Sequence, residues 1–151
     1  MIAVLQRVSK GDVTIYGKIR GAIRHGLVIL LGVMKDDTEK DVMFLTEKLS
    51  RFRIFNDEEE KMNLSIKDIN GSVLVISQFT LCGDWKKGKR PSFVHAAPPE
   101  KGKHLYEQFI YHLIEMGIPV DSGEFGAAMS VSLVNEGPVT FVLDSKNYDN
   151  L

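Results

Sequence analysis

The chain has 151 residues, 44% of them apolar and 26% charged, with a formal net charge of −1. That composition excludes a disordered polymer, and the length fits one domain over residues 1–151 that buries roughly two thirds of its unfolded surface. A single cysteine, Cys82, excludes an intramolecular disulfide framework and any multi-cysteine metal site.

In chain order, the opening MIAVLQRVSK lacks both a basic stretch ahead of an apolar core and a small-residue cleavage site. No apolar run reaches the ~18 residues of a membrane span, so no membrane partner and a reduced, cytoplasmic setting are expected. Residues 2–8 and 12–16 read as short β-branched strands, with Gly11 and Gly17 as breaks. Residues 18–24 lead through His25-Gly26 into LVILLGVM (27–34), a run suited to a strand buried on both faces. Asp36, Asp37 and Thr38 supply capping side chains for a helix over about 38–51, where Val42, Leu45, Leu49 and Phe52 share a face. Residues 53–55 suggest another strand and 56–61 an exposed acidic turn, with Glu58 to Glu60 at a solvated tip. SVLVISQFTLC (72–82) reads as a strong buried strand. Residues 83–99, rich in Gly and Pro, break the pattern before a second helix at about 99–116. Leu105, Phe109, Ile110, Leu113 and Ile114 fall on one face of that helix, and Gly117 stops it. Strands at 118–121, 128–134 and 139–144 follow, the last two separated by Asn135-Glu136-Gly137-Pro138. The result is a single α/β domain, mostly antiparallel, with two main helices.

Several candidate sites fail on chemistry. GDWKKGKR (83–90) has phosphate-loop spacing, but Arg90 stands where Ser or Thr should hold magnesium. Pro91 then occupies the start of the helix that such a loop needs, so nucleotide hydrolysis is rejected. The four histidines show no zinc spacing, and no metal or cofactor is expected. Cys82, ending an apolar strand, reads as a small core residue. Residues 84–103 carry six basic side chains against Asp84 and Glu100, with Trp85 and Phe93 interleaved. Lys86, Lys87, Lys89 and Arg90 there suit contact with a nucleic-acid backbone, although a solvated loop explains them equally. Two segments remain odd for a scaffold. Ser77-Gln78-Phe79-Thr80 puts three polar side chains near the end of an apolar strand, and strand alternation would set Gln78 and Thr80 on one face. Gly137-Pro138 reads as a turn or as a candidate for a cis peptide bond.

Together and in this order, these segments carry a resemblance. AVLQRVS, GLVILLGV, RIFNDEEEKMNLS, SQFTL, KGKRPSF, FGAAMSVSLVNEGPVT and the final LDS resemble the D-aminoacyl-tRNA deacylase family over essentially the whole chain. Cys82 departs from the aromatic or aliphatic residue common at its position. The resemblance implies a β-barrel-like α/β fold and a homodimer that hydrolyses the ester joining a D-amino acid to tRNA. It implies a catalytic segment of Ser77, Gln78, Phe79 and Thr80, and substrate binding by Gly137, Pro138, Arg7, Phe125 and Met129. In this picture Gly137-Pro138 of one subunit enters the other's active site, Arg7 fixes that motif, and Lys86, Lys87, Lys89 and Arg90 hold tRNA. Rejection of L-aminoacyl-tRNA is then expected, and, since a filter that excludes a side chain has nothing to exclude in glycine, so is acceptance of glycyl-tRNA. A non-catalytic RNA-binding module, or a relative with a trans Gly-Pro bond and no chiral selection, stays open on the sequence.

Overall fold

The structure, a computed structural model, describes residues 1–148; the last three residues of the expected 1–151 domain lie outside the described residues. Its spine is one long strand, β1 (Ile2–Ile15), where the sequence suggested two strands broken at Gly11. Gly11 pairs on both sides, with Ile23 and with Leu133, and this hydrogen bonding carries the strand through. The chain turns at Tyr16 and Gly17 into β2 (Lys18–Ile23) and runs on into β3 (Gly26–Gly32). β3 pairs antiparallel with β1 and parallel with β6 (Ser72–Ser77), which pairs parallel with β7 (Val120–Ser122). The last strand, β8 (Ser130–Asp144), runs antiparallel along the other side of β1. A small hairpin of β4 (Phe55–Asn56) and β5 (Met62–Leu64) brackets the acidic turn, where Glu58 to Glu60 are exposed.

Most strand pairs are antiparallel, as expected; the two parallel pairs are those joined by helical crossovers, which return the chain in its original direction. The Ala22 amide donates to the Asp121 carboxylate at 2.9 Å, drawing β7 back toward β2. The sheet thus curls into a nearly closed barrel.

Two helices pack outside it. In α1 (Glu39–Arg51) the Thr38 hydroxyl accepts from the Lys40 amide, and Asp41 accepts from the Thr38 amide at 2.8 Å. Asp37 does not cap this helix; it accepts from the Met34 amide at 2.7 Å and the Met1 ammonium at 2.6 Å. α2 (Pro99–Glu115) buries Leu105, Phe109 and Leu113. Ile114, expected on the same face, is 51% exposed, because one residue past Leu113 is about 100° round the helix. The larger core lies between sheet and helices, and a second cluster of Val8, Val13, Ile23, Val28, Leu74 and Ile76 packs separately from it. β3 serves both, Leu27, Ile29 and Leu31 in the first and Val28 in the second, which explains its unbroken apolar run.

Two departures from the sequence reading shape the site. The strand predicted over 72–82 ends at Ser77. The strands predicted at 128–134 and 139–144 are one strand, because both pair with β1 in the same direction. Asn135 sits opposite Val8 and Thr140 opposite Gln6, so residues 136–139 face Arg7 alone. The NEGP segment is therefore a bulge rather than a turn. The Gly137-Pro138 peptide bond within it is cis.

Candidate active site

β6 carries apolar side chains into the core until Ser77, where the backbone leaves the sheet. Gln78 has φ −141° and ψ 77°, and a short 3-10 turn, Phe79–Cys82, follows. The Gln78 amide still donates to the Leu31 carbonyl at 2.8 Å, which fixes the exit point. Strand alternation therefore no longer relates Gln78 to Thr80; the Gln78 side-chain amide donates to the Thr80 hydroxyl across the turn instead. The backbone amides of Phe79 and Thr80 have no acceptor among the described residues, as expected of the first amides in a helical turn. Cys82 closes the turn at 4% exposure, its thiol directed to the Val33 carbonyl and its pKa pushed up by burial. It is a core residue.

A cleft of about 440 Å³ opens beside this turn. Ser77, Gln78 and Phe79 line it together with Phe125, Ala127 and Met129, from the segment ahead of β8, and Val131 in β8. α2 sets the position of Phe125: a Cβ on Gly102 would stand 3.1 Å from the Phe125 ring. Glycine inside a helix costs about 1 kcal/mol relative to alanine, and here that cost leaves room for the aromatic wall. Tyr106 supports the same ring at 5.7 Å between centroids, with its hydroxyl donating to the Val75 carbonyl at 3.1 Å. Met129 packs against the smaller core cluster. Five of the expected residues thus meet in one cleft: Ser77, Gln78, Phe79, Phe125 and Met129. Thr80 joins through Gln78. No histidine, lysine or carboxylate among the described residues hydrogen-bonds to Thr80, so its hydroxyl has no base.

The other expected residues gather elsewhere. Arg7 is 7% exposed and spans from β1 to both the bulge and the β4–β5 hairpin. Its Nε donates to the Glu136 carbonyl at 3.1 Å. Its Nη1 donates to the Ile54 carbonyl at 2.9 Å and to Asn56 Oδ1 at 3.1 Å. At the edge of the bulge, Asn135 Oδ1 accepts from the Val139 amide at 3.1 Å, and its Nδ2 donates to the Thr140 hydroxyl at 3.0 Å. Gly137 has φ +131°, and a Cβ there would lie 2.7 Å from Val139 Cγ2 and 3.1 Å from Arg7 Nη2. Only glycine fits. Gly137 and Pro138 are exposed and do not line the cleft of their own chain.

Asn56 and Asn135 are the supporting residues that sequence reasoning missed. Asn56 carried no signal, since its partner Arg7 is 49 residues away. Asn135 did carry one, an amide side chain poised to bond the backbone four residues on. In the basic loop, Lys86, Lys87, Lys89 and Arg90 are all exposed. Among the described residues no cluster of His, Cys, Asp and Glu could hold a metal ion.

The site is thus a cleft of a curled α/β barrel at a strand exit, where Gln78 bonds Thr80 and no nucleophile–base couple is found among the described residues. The family described as D-Tyr-tRNA(Tyr) deacylase matches residues 4–144. A D-aminoacyl-tRNA deacylase of Thermotoga petrophila is 59% identical over 96% of this chain and 97% of its own length. That of Thermosipho africanus is 54% identical over 97% of this chain and 98% of its own. Among solved structures, the c-Myc DNA Unwinding Element Binding Protein superposes with a TM-score of 0.90 at 37% identity, over 95% of this chain and 98% of its own. A probable eukaryotic D-amino acid tRNA deacylase superposes at 0.81, over 94% and 97%, and its 19% identity speaks for the fold alone. The chain belongs to the D-Tyr-tRNA(Tyr) deacylase family. It is a hydrolase of aminoacyl-tRNA esters that acts in tRNA proofreading.

Proposed function

We propose that the protein removes D-amino acids, and glycine, from the 3′ end of tRNA while sparing L-amino acids. It works in the cytoplasm as a homodimer in which Gly137-Pro138 of each subunit completes the partner's cleft. The observation that carries this reading is a separation. Val131 lines the cleft, and β8 runs on to Asn135, roughly 13 Å of extended strand, before the bulge begins. An exposed and heavily braced motif that does not line its own cleft is suited to serve another's. A two-fold dimer, the commonest closed symmetry, supplies two such exchanges at once.

The chemistry needs no triad. An aminoacyl ester is already activated, so placement, oxyanion donors and access for water suffice. The free amides of Phe79 and Thr80 are the donors, Gln78 orients the terminal adenosine, and the tRNA's own 2′-hydroxyl assists the attacking water. Thr80 positions Gln78 and does not attack. Thr80→Ala is therefore expected to slow turnover roughly tenfold to a few hundredfold, against about 10⁶ for loss of a nucleophile. Trapping of an acyl-enzyme on Thr80 would reverse this assignment.

Chirality is read by exclusion. The carbonyl oxygens of Gly137 and Pro138 grip the substrate ammonium. With ammonium and ester both fixed, the two enantiomers differ by exchange of hydrogen and side chain. An L side chain then strikes the Gly-Pro backbone, while a D side chain points outward. Deacylation of D- and L-tyrosyl-tRNA side by side tests the reading. The D ester is expected to disappear at least about a hundredfold faster. Equal rates, or none on either, would refute it. Sedimentation at assay concentration should give twice 16.9 kDa, and a fully active monomer would sink the cross-subunit part.

A further inference from the structure

Trp85 is the protein's only tryptophan, and it is 80% exposed. It stands at the neck of the basic loop. Asp84 and Ser92 exchange two backbone hydrogen bonds, of 2.7 and 2.8 Å, which close residues 85–91 into a loop. Asp84 Oδ1 also accepts from the Lys86 amide at 3.0 Å, stiffening the chain on either side of the indole. The loop is coupled to the cleft. Phe93, just past the neck, packs 4.9 Å from the ring of Phe79, which lines the cleft. A Cβ on Gly83 would stand 3.1 Å from the same Phe93 ring, so the neck lies close against the 3-10 turn.

We infer that Trp85 is a stacking platform for an unpaired base of the tRNA 3′ end, next to the terminal adenosine held in the cleft. The inference rests on the reading above, in which the aminoacylated end enters that cleft. A tRNA acceptor stem ends in four unpaired nucleotides. Proteins bind such single strands with aromatic faces for the bases and cations for the phosphates. A base-paired stem presents phosphates but no open base face, so lysines alone would not distinguish stem from end. An exposed indole among Lys86, Lys87, Lys89 and Arg90 supplies that distinction. The reach is right as well. Trp85 lies five positions beyond Thr80, at most ~18 Å of chain, a span that the unpaired end covers.

Because Trp85 is the sole tryptophan, emission excited beyond the absorption of the four tyrosines reports on this residue alone. Uncharged intact tRNA is titrated against the same tRNA trimmed of its four unpaired 3′ nucleotides, with occupancy measured separately by filter binding. Intact tRNA should quench the emission and trimmed tRNA should leave it unchanged while still bound. Trp85→Ala should raise KM for D-tyrosyl-tRNA at least about fivefold, the low end for one base–aromatic stack, with kcat nearly unchanged. Trp85→Phe should restore most of that loss, and Trp85→Lys, which adds charge without a ring, should not. Equal quenching by trimmed tRNA, or a KM for Trp85→Ala within about twofold of wild type, overturns the inference. A wild-type protein that leaves D-tyrosyl-tRNA intact refutes the reaction instead, and the titration with uncharged tRNA still judges the platform by itself.

Discussion

Gly137→Ala should lower D-tyrosyl-tRNA deacylation by about a hundredfold or more, the loss that follows when a positioning group moves by an ångström. The cause lies in the backbone. A side chain at φ +131° is strained, and its Cβ would press on Val139 at 2.7 Å and on Arg7 Nη2 at 3.1 Å. Such strain costs about 1–3 kcal/mol, against a typical domain stability of roughly 5–15 kcal/mol. The protein should therefore fold, melting a few degrees lower, with the bulge displaced from its place against Arg7. Normal activity in Gly137→Ala, with L-tyrosyl-tRNA still spared, would remove Gly137 from the filter.

The same variant separates cross-subunit action from action within one chain. Ala127 lines the cleft, so Ala127→Trp should fill it and inactivate a subunit while leaving its bulge intact. Mixing Gly137→Ala with Ala127→Trp and allowing subunits to exchange gives heterodimers with one good cleft and one good bulge, on different chains. Cross-subunit completion predicts recovery to roughly a quarter of wild-type activity, since half the dimers are mixed and each regains one of two sites. Action within one chain predicts no recovery at all.

Much of this arrangement was legible because it is local. β3 announced itself as an unbroken apolar run, and α1 through its Thr38 cap and the Val42, Leu45, Leu49 spacing. The continuity of β1 and β8 was not legible. Gly11 and Gly137-Pro138 carry turn chemistry in their own neighbourhoods, and only pairing between residues some 120 apart overrides it. The exit of β6 at Ser77 was hidden for a related reason, since SQFTL has strand-like composition and nothing local marks its end. The basic loop showed its charge in the sequence but not the exposure of Trp85. Phe125 and Met129 came from resemblance alone. Their place in the cleft depends on what the neighbouring elements leave open, as with Phe125 against Gly102 of α2, a contact that no periodicity encodes.

Glycyl-tRNA should be cleaved at a rate within about tenfold of D-alanyl-tRNA, while L-alanyl-tRNA is cleaved at least about a hundredfold more slowly. The reason is the form of the filter. A site that rejects by collision has nothing to collide with when the side chain is hydrogen. In the proposed filter glycine would present the same ammonium to Gly137 and Pro138 and the same ester to the amides of Phe79 and Thr80, and would lack only the group that points outward. A methyl group held in a fitted apolar pocket is worth roughly 10- to 200-fold, but an outward-pointing methyl fills no pocket, so its absence should cost less. Correctly charged glycyl-tRNA would then need protection from outside the enzyme, by sequestration or by discriminating tRNA bases. The measurement is deacylation of free glycyl-, D-alanyl- and L-alanyl-tRNA at equal enzyme. If glycyl-tRNA survives as long as L-alanyl-tRNA, exclusion by Gly137-Pro138 is not the whole filter. A favourable contact with the D side chain must then exist, and Phe125 and Met129, already in the cleft wall, are the residues to test for it.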